Sequence, residues 1–425
     1  NTSAMLLGLL GSLYGLIKVS IEKTVVDDVT FRMHYRWTTL LCFVSCALVA
    51  TSELIGSPIE CLKDGKEAPK PMTTFCWVQS TFTINTHYAE ENLGNYLAYD
   101  SNYHGLGNFD PEKHEKRVHA YYQWVPMMLF GMGCMFYLPH MLWKSIEGRR
   151  ADSLLQGLQL FHIGDEEGDA IKRKNIVEYF KITYRCLNKR YSYGYLIVQI
   201  LNLFNVMIIM FALESFFGGV FLDYGYKTLQ YFTGHADNST FHPMIEAFPT
   251  IAKCEFFKYG PSGTIEKHDL VCLLPQNIIN EKIFLLLWFW FVFLSTCSCI
   301  QIVYIAALFI SPYLRTKLLE RNGKMVTTEQ LEKLVRKLDT GDFFLLMTII
   351  SNLDGISVRD VLQGLISGIL GKPTMGNKDE SCPNGFGKTV ENMFSPNAPT
   401  YRPFNMEDVD PVEYKRRMEA DDTCV

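Results

Sequence analysis

The sequence predicts an all-α integral membrane protein whose protomer crosses the bilayer four times, and three observations carry that reading. Apolar residues are gathered in four long blocks, although the chain of 425 residues is an ordinary 48% hydrophobic and 20% charged overall. Each block is long enough to cross about 30 Å of hydrocarbon at 1.5 Å per residue. The polar segments between blocks alternate in Lys and Arg content, as the two faces of a membrane require.

Residues 1–36 form a lead-in. Within them, residues 5–17 are an apolar run in which Leu6, Leu9, Leu10, Leu13 and Ile17 recur at helical spacing, while Gly8, Ser12 and Gly15 gather on another face. No basic residue precedes the run and no small-x-small site follows it, which disfavours a secretory signal. The two-faced pattern suits a helix with one face packed on a neighbour and one smooth face; an anchor lying in the membrane surface is the alternative. The first span is placed at 37–56. Only 16 uncharged residues separate Arg36 from Glu53, so the span must extend through Ile55. Glu53 then stands near its outer end, facing water, a partner or an aqueous pore, or simply snorkelling to the interface.

The second span, 121–143, opens on Tyr121-Tyr122-Gln123-Trp124-Val125-Pro126, and no charge occurs from Ala120 to Trp143. Amphipathic aromatic rings favour the membrane boundary with the polar tip wet, and Pro126 fits a first helical turn, where its missing N–H costs nothing. Pro139 marks a kink or exit. The third span, 195–221, lies in a stretch where Glu214 is the sole charge, and the fourth, 282–312, in 32 charge-free residues from Ile283 to Leu314. Pro312 marks its inner boundary.

Orientation follows from basic residues. The loop 144–194 holds ten Lys and Arg, against six in Ser57 to Ala120 and four in Asp223 to Glu281. The middle loop is therefore cytoplasmic with both termini, and loops 57–120 and 222–281 are extracellular. The cysteines agree: Cys61 and Cys76 fall in the first outer loop and Cys254 and Cys272 in the second. An even set in an oxidising compartment reads as two disulfides, with three connectivities open. Cys42, Cys46, Cys134, Cys297 and Cys299 fall in spans as small packing residues.

Residues 313–372 read as a helical cytoplasmic domain. Thr327 with Gln330 resembles a capping box before a helix to Leu338, Gly341 ends it, Asp342 to Leu353 is a second helix, and Ser357 with Asp360 caps a third. Residues 373–425 are polar and rich in Pro and Gly, which predicts disorder. The net charge of −5 disfavours nucleic acid. No phosphate loop, His-Glu-x-x-His, Gly-x-Ser-x-Gly or paired Cys-x-x-Cys occurs, so neither enzyme chemistry nor a cofactor or metal site is expected. Asn238-Ser239-Thr240 is a glycosylation sequon in the second outer loop.

The order of elements, with Tyr121 to Pro126, resembles the innexin family of invertebrate gap-junction proteins over most of the chain. The same likeness is carried by Phe31-Arg32-Met33-His34-Tyr35-Arg36, by Ile55-Gly56-Ser57-Pro58-Ile59-Glu60-Cys61, by Glu281-Lys282-Ile283-Phe284 with Trp288-Phe289-Trp290, and by Gly341-Asp342-Phe343-Phe344. Pannexins share the topology but match these words less well, and connexins carry three cysteines per outer loop. The resemblance implies a plasma-membrane, octameric ring around an aqueous pore, built of one or several innexins and docked to a ring of the neighbouring cell. It further implies an amino-terminal pore helix presenting Gly8, Ser12 and Gly15, and pairing of Cys61 with Cys272 and of Cys76 with Cys254. The alternatives to a gap junction are a non-junctional hemichannel releasing ions or ATP, and a pore-less adhesion or scaffold protein.

Overall fold

The computed structural model describes residues 25–63, 65–85, 106, 115–148, 150–155, 166–183, 188–234, 243–323 and 326–371. The lead-in run 5–17, the sequon at Asn238, most of the segment 90–116 and the tail 373–425 lie outside them. Four helices are long and apolar enough to cross a membrane: span one, Val29–Ile55; span two, Tyr121–Glu147; span three, Lys189–Phe216; and span four, Pro275–Ile310. Their outward surfaces carry Leu48, Leu54, Phe130, Phe204, Phe211, Phe289, Phe293 and Val303, all exposed. Apolar surface on that scale suits lipid rather than water. Between the spans, Cys42, Val49, Leu129, Met132, Phe136, Val206, Leu213, Phe284, Phe291 and Leu294 are buried in one core.

Spans one, three and four start earlier than their charges suggest. Span one contains a π-helical turn, Met33–Thr38, in which the Thr38 hydroxyl donates to the Met33 carbonyl at 2.8 Å. That turn is held to span four by Trp290 Nε1 donating to Thr38 Oγ1 at 2.8 Å and by His34 Nε2 at 2.7 Å from Ser298 Oγ. Such turns survive where neighbours satisfy the displaced backbone groups. Span four begins at Pro275, and its first turns bury Gln276, Asn277 and Asn280. Gln276 and Asn277 tolerate burial because Gln276 Nε2 donates to the Val49 carbonyl at 3.3 Å and Asn277 Nδ2 to the Pro249 carbonyl at 2.7 Å.

The loops between spans one and two and between spans three and four fold together as one antiparallel sheet. Its strands are β1 (Glu60–Lys63), β2 (Lys66–Glu67), β3 (Thr81–Asn85), β4 (Glu115–His119), β5 (Ile251–Tyr259) and β6 (Ile265–Leu273), in the order β2-β1-β6-β5-β3-β4. The β5–β6 hairpin of the later loop is thus inserted between two pieces of the earlier one. Its turn closes with Gly260 N–H donating to the Thr264 carbonyl at 2.8 Å, and Gly263 sits at φ +80°, a conformation glycine adopts freely. Three helices among the described residues complete these loops, Lys70–Gln79 in the first and, in the later one, Pro243–Ala247 and Phe221–Phe232. Gly225 of the latter faces the Trp288 ring so closely that an added Cβ would lie 2.1 Å from it.

Among the described residues the chain divides into two compact units, the first drawn from 27–143 and 194–310 and the second from 25–26, 144–193 and 311–371. The second unit is helical where described: Glu166–Thr183, Pro312–Asn322, Thr328–Lys337, Thr340–Ile350 and Gly355–Leu370. The helix Thr328–Lys337 has the expected ends, whereas the next helix is displaced by two or three residues and the last starts about a turn early. Thr327 stands at an N-cap but its side chain makes no capping bond. The capping box forms one helix later, between Asp339 and Asp342, and the last helix is capped by Asp354, which accepts from Ile356 and Ser357 N–H groups at 3.2 and 3.3 Å. Gly341 lies inside a first turn and meets the Asn188 carbonyl, 2.0 Å from where a Cβ would stand. Asn188 Nδ2 in turn donates to Asp342 Oδ1 at 2.8 Å, with both residues buried.

Candidate functional site

Two disulfides join the loops to each other, not each loop to itself. Cys61 of β1 is bonded to Cys272 of β6, residues directly opposed in the sheet register. Cys76, on the helix Lys70–Gln79, is bonded to Cys254 of β5. The bridges close chain segments with sequence separations of 211 and 178. The sulfurs of Cys61, Cys76 and Cys272 lie within 4.8 Å of one another, so the bridges pack side by side. Spent in disulfides, these thiols have no capacity to hold a metal.

The aromatic hexapeptide lies beneath this platform. Tyr121 to Trp124 form a single 3₁₀ turn, and Val125 then opens the α-helix with Pro126 in its first turn. The expectation of wet aromatic tips is corrected here: Tyr121 is 8% exposed and Tyr122 0%. Tyr122 donates to the Cys76 and Trp77 carbonyls at 3.4 and 3.3 Å, and Gln123 Nε2 also donates to the Trp77 carbonyl. Tyr121 reaches the other way, donating to the Ala247 carbonyl at 3.2 Å while accepting from Asn277 Nδ2 at 3.2 Å. Its ring meets Phe217 and Phe248 edge to face, with centroids 5.2 and 5.9 Å apart. Adjacent tyrosines therefore clamp the two loops from one turn. Only Trp124 keeps the boundary character expected of it, 57% exposed.

The charges around the turn serve the same end. Arg117 Nη2 donates to the Phe217 carbonyl at 3.2 Å, meeting an orphan acceptor at the end of span three. Glu214, also near that end, accepts from Leu222 N–H at 2.7 Å and so fixes the start of the next helix. Glu255 of β5 is paired with Lys116 at 2.8 Å and Lys267 at 3.1 Å; burial opposes its charged form, and the two lysines outweigh that and hold it below the usual carboxylate range. His119 ends β4 at 2% exposure, 2.8 Å from Thr83 Oγ1. Burial first, then the charge of Arg117, lowers its pKa to about 3, so it is neutral at physiological pH.

Glu53 stands two residues from the end of span one. Its Oε1 is buried without a hydrogen-bond partner among the described residues, while the adjacent Ser52 hydroxyl donates to Gln276 Oε1 at 2.8 Å. The other residues expected at a pore, Gly8, Ser12 and Gly15, and the glycan acceptor Asn238 lie outside the described residues. Missed from sequence were Asn277, Trp77 and Ala247, the partners of the tyrosines. Asn277 carried a signal in hindsight, as one of three buried amides just before an apolar span.

A family model described as Innexin matches residues 27–369. The chain belongs to the innexin family. Among innexins of Drosophila melanogaster it is 37% identical to innexin inx3 over 86% of this chain and 90% of that one. It is 35% identical to innexin shaking-B over 85% and 94%, and 36% identical to innexin inx2 over 84% and 94%. Innexins are the gap-junction channel proteins of invertebrate plasma membranes, and a gap-junction channel role is the role of this innexin. They act as oligomers.

Proposed function

We propose that this innexin assembles as a ring of eight around an aqueous pore and docks to a ring of the neighbouring cell through the sheet of its two disulfide-linked loops. In this reading those loops are extracellular, the helical unit and both termini are cytoplasmic, and the ring contains this chain alone or with other innexins. The smooth face of Gly8, Ser12 and Gly15 lines the pore mouth, and Glu53 contributes to the pore lining at the outer end of span one. Transport is passive: pore diameter and lining charge decide which ions and small solutes pass.

The observation that carries the reading is the interleaving of the two loops, with the β5–β6 hairpin set between strands of the first loop and bonded to that loop at two places. A surface that must mate with its counterpart on another cell gains from being ordered before the encounter, because the ordering entropy is then already spent. The test is dye or current transfer between paired cells that express the chain. Transfer between pairs, abolished when both bridges are removed by Cys61→Ala and Cys76→Ala, is the expected result. Conductance confined to unpaired membranes, together with a glycan on Asn238 shown by a glycosidase mobility shift, supports release through undocked rings instead.

A further inference from the structure

We infer that Asp27 and Asp28 are positioning residues that fix where the chain leaves the span bundle and so set the place of the pore-mouth segment; this rests on the pore-mouth reading just given. The two carboxylates immediately precede span one, at the end remote from the sheet, and between them they engage one side chain from each of the four spans. Asp27 is 7% exposed and its Oδ2 accepts from the Tyr35 hydroxyl of span one at 3.0 Å. The same oxygen lies 3.8 Å from His140 Nδ1 of span two, and the Tyr35 and His140 rings stack 3.7 Å apart. Asp28 Oδ2 accepts from the Tyr195 hydroxyl of span three and from Gln301 Nε2 of span four at 2.7 Å. Tyr195 is itself oriented by Gln199 Nε2 at 2.7 Å.

Asp28 occupies the N-cap of span one, where an aspartate ordinarily accepts from its own helix's first N–H groups. Here the side chain makes no capping bond, although the backbone carbonyl still accepts from Arg32 N–H at 3.0 Å. The local use of the carboxylate is given up for ties to two distant spans, about 170 and 270 residues away in sequence. A residue that breaks a local preference in favour of long-range ties is selected for where it holds the chain. What it holds is the junction through which residues 1–24 depart.

The experiment uses the full chain carrying Ser12→Cys, expressed as channels, and measures how fast a membrane-impermeant thiol reagent admitted to the pore alters the current. The chain with Ser12 intact supplies the background from its native cysteines. Asp28→Ala, which removes the acceptor of two charge-assisted hydrogen bonds, is expected to speed modification about tenfold, one bond's worth of equilibrium. Asp28→Asn, which keeps an acceptor oxygen, stays near the unaltered rate, and subunit number and surface delivery are unchanged in both. A Tyr195→Phe, Gln301→Met double variant reproduces the Asp28→Ala effect with Asp28 intact, and it decides the matter if Asp28→Ala is not delivered. Unchanged rates in these variants overturn the positioning role alone. Failure of the reagent to act on Ser12→Cys in the otherwise unaltered channel removes the pore-mouth reading, and the inference with it.

Discussion

The loop platform and the second, helical unit of this innexin are held by different means. In the platform, short strands from two loops meet only because two disulfides and a cluster of aromatic rings hold them, and the tie from Tyr121 to Ala247 spans 126 residues. The helical unit has no disulfide among its described residues and relies on leucine packing, caps and one buried Asn–Asp bond. Its caps are local, within four residues of the groups they satisfy. The contrast teaches where rigidity had to be imported. Strands of two to nine residues cannot bury enough apolar surface to order themselves, whereas amphipathic helices largely can.

The largest effect should come from breaking the platform's covalent ties. Each bridge closes a segment of more than 170 residues, worth about 5 kcal/mol by chain entropy. Cys61→Ala with Cys76→Ala should therefore expose both loops to limited proteolysis while leaving the helical unit's cleavage pattern unchanged; equal loss in both regions would erase the distinction. Next is Gly341→Val on the other side of the comparison. Its Cβ would overlap the Asn188 carbonyl, so about 3 kcal/mol of overpacking should loosen the helical unit and leave disulfide formation intact. Thiol trapping after unfolding would show both bridges still formed.

How much was legible follows the same division. The spans could be read from charge-free stretches because lipid admits few charges anywhere along a helix. The helices of the second unit could be read too: the one after Thr327 runs to Leu338 as expected, while the last starts a turn early, because Asp354 and Ser357 both look like caps and only tertiary packing selects between neighbouring candidates. The sheet was not read, because β1 and β2 are four and two residues long and β6, the other partner of β1, lies some 200 residues downstream. Composition shows that tyrosines favour a boundary but cannot show that the Cys76, Trp77 and Ala247 carbonyls wait there as acceptors. Pairing of the four loop cysteines was open by count and entered through the family resemblance.

Two smaller effects sharpen the comparison within the platform itself. Tyr122→Phe keeps the ring and removes the donor to the Cys76 carbonyl and one of the two donors to the Trp77 carbonyl, and should cost about 1–2 kcal/mol, seen as a lowered thermal midpoint of the detergent-solubilised protein. Trp124→Ala, at a 57% exposed ring, should leave that midpoint almost unmoved and act only on ring assembly or docking. Acid provides the mildest probe. His119 is neutral in the fold down to about pH 3, whereas in the unfolded chain it takes up a proton below its ordinary 6.5. The unfolded state therefore binds more protons in that window, and platform stability is complete above pH 6.5 and falls progressively toward pH 3. His119→Gln should flatten that slope.

The central claim is that the interleaved, disulfide-tied loops are the docking surface of a channel ring. An image of the purified full-length assembly tests it most directly. The account predicts eight subunits per ring and two rings meeting end to end through the β1–β6 sheet. Paired rings that meet through any other surface, or single rings at concentrations where the sheet is intact, would contradict it.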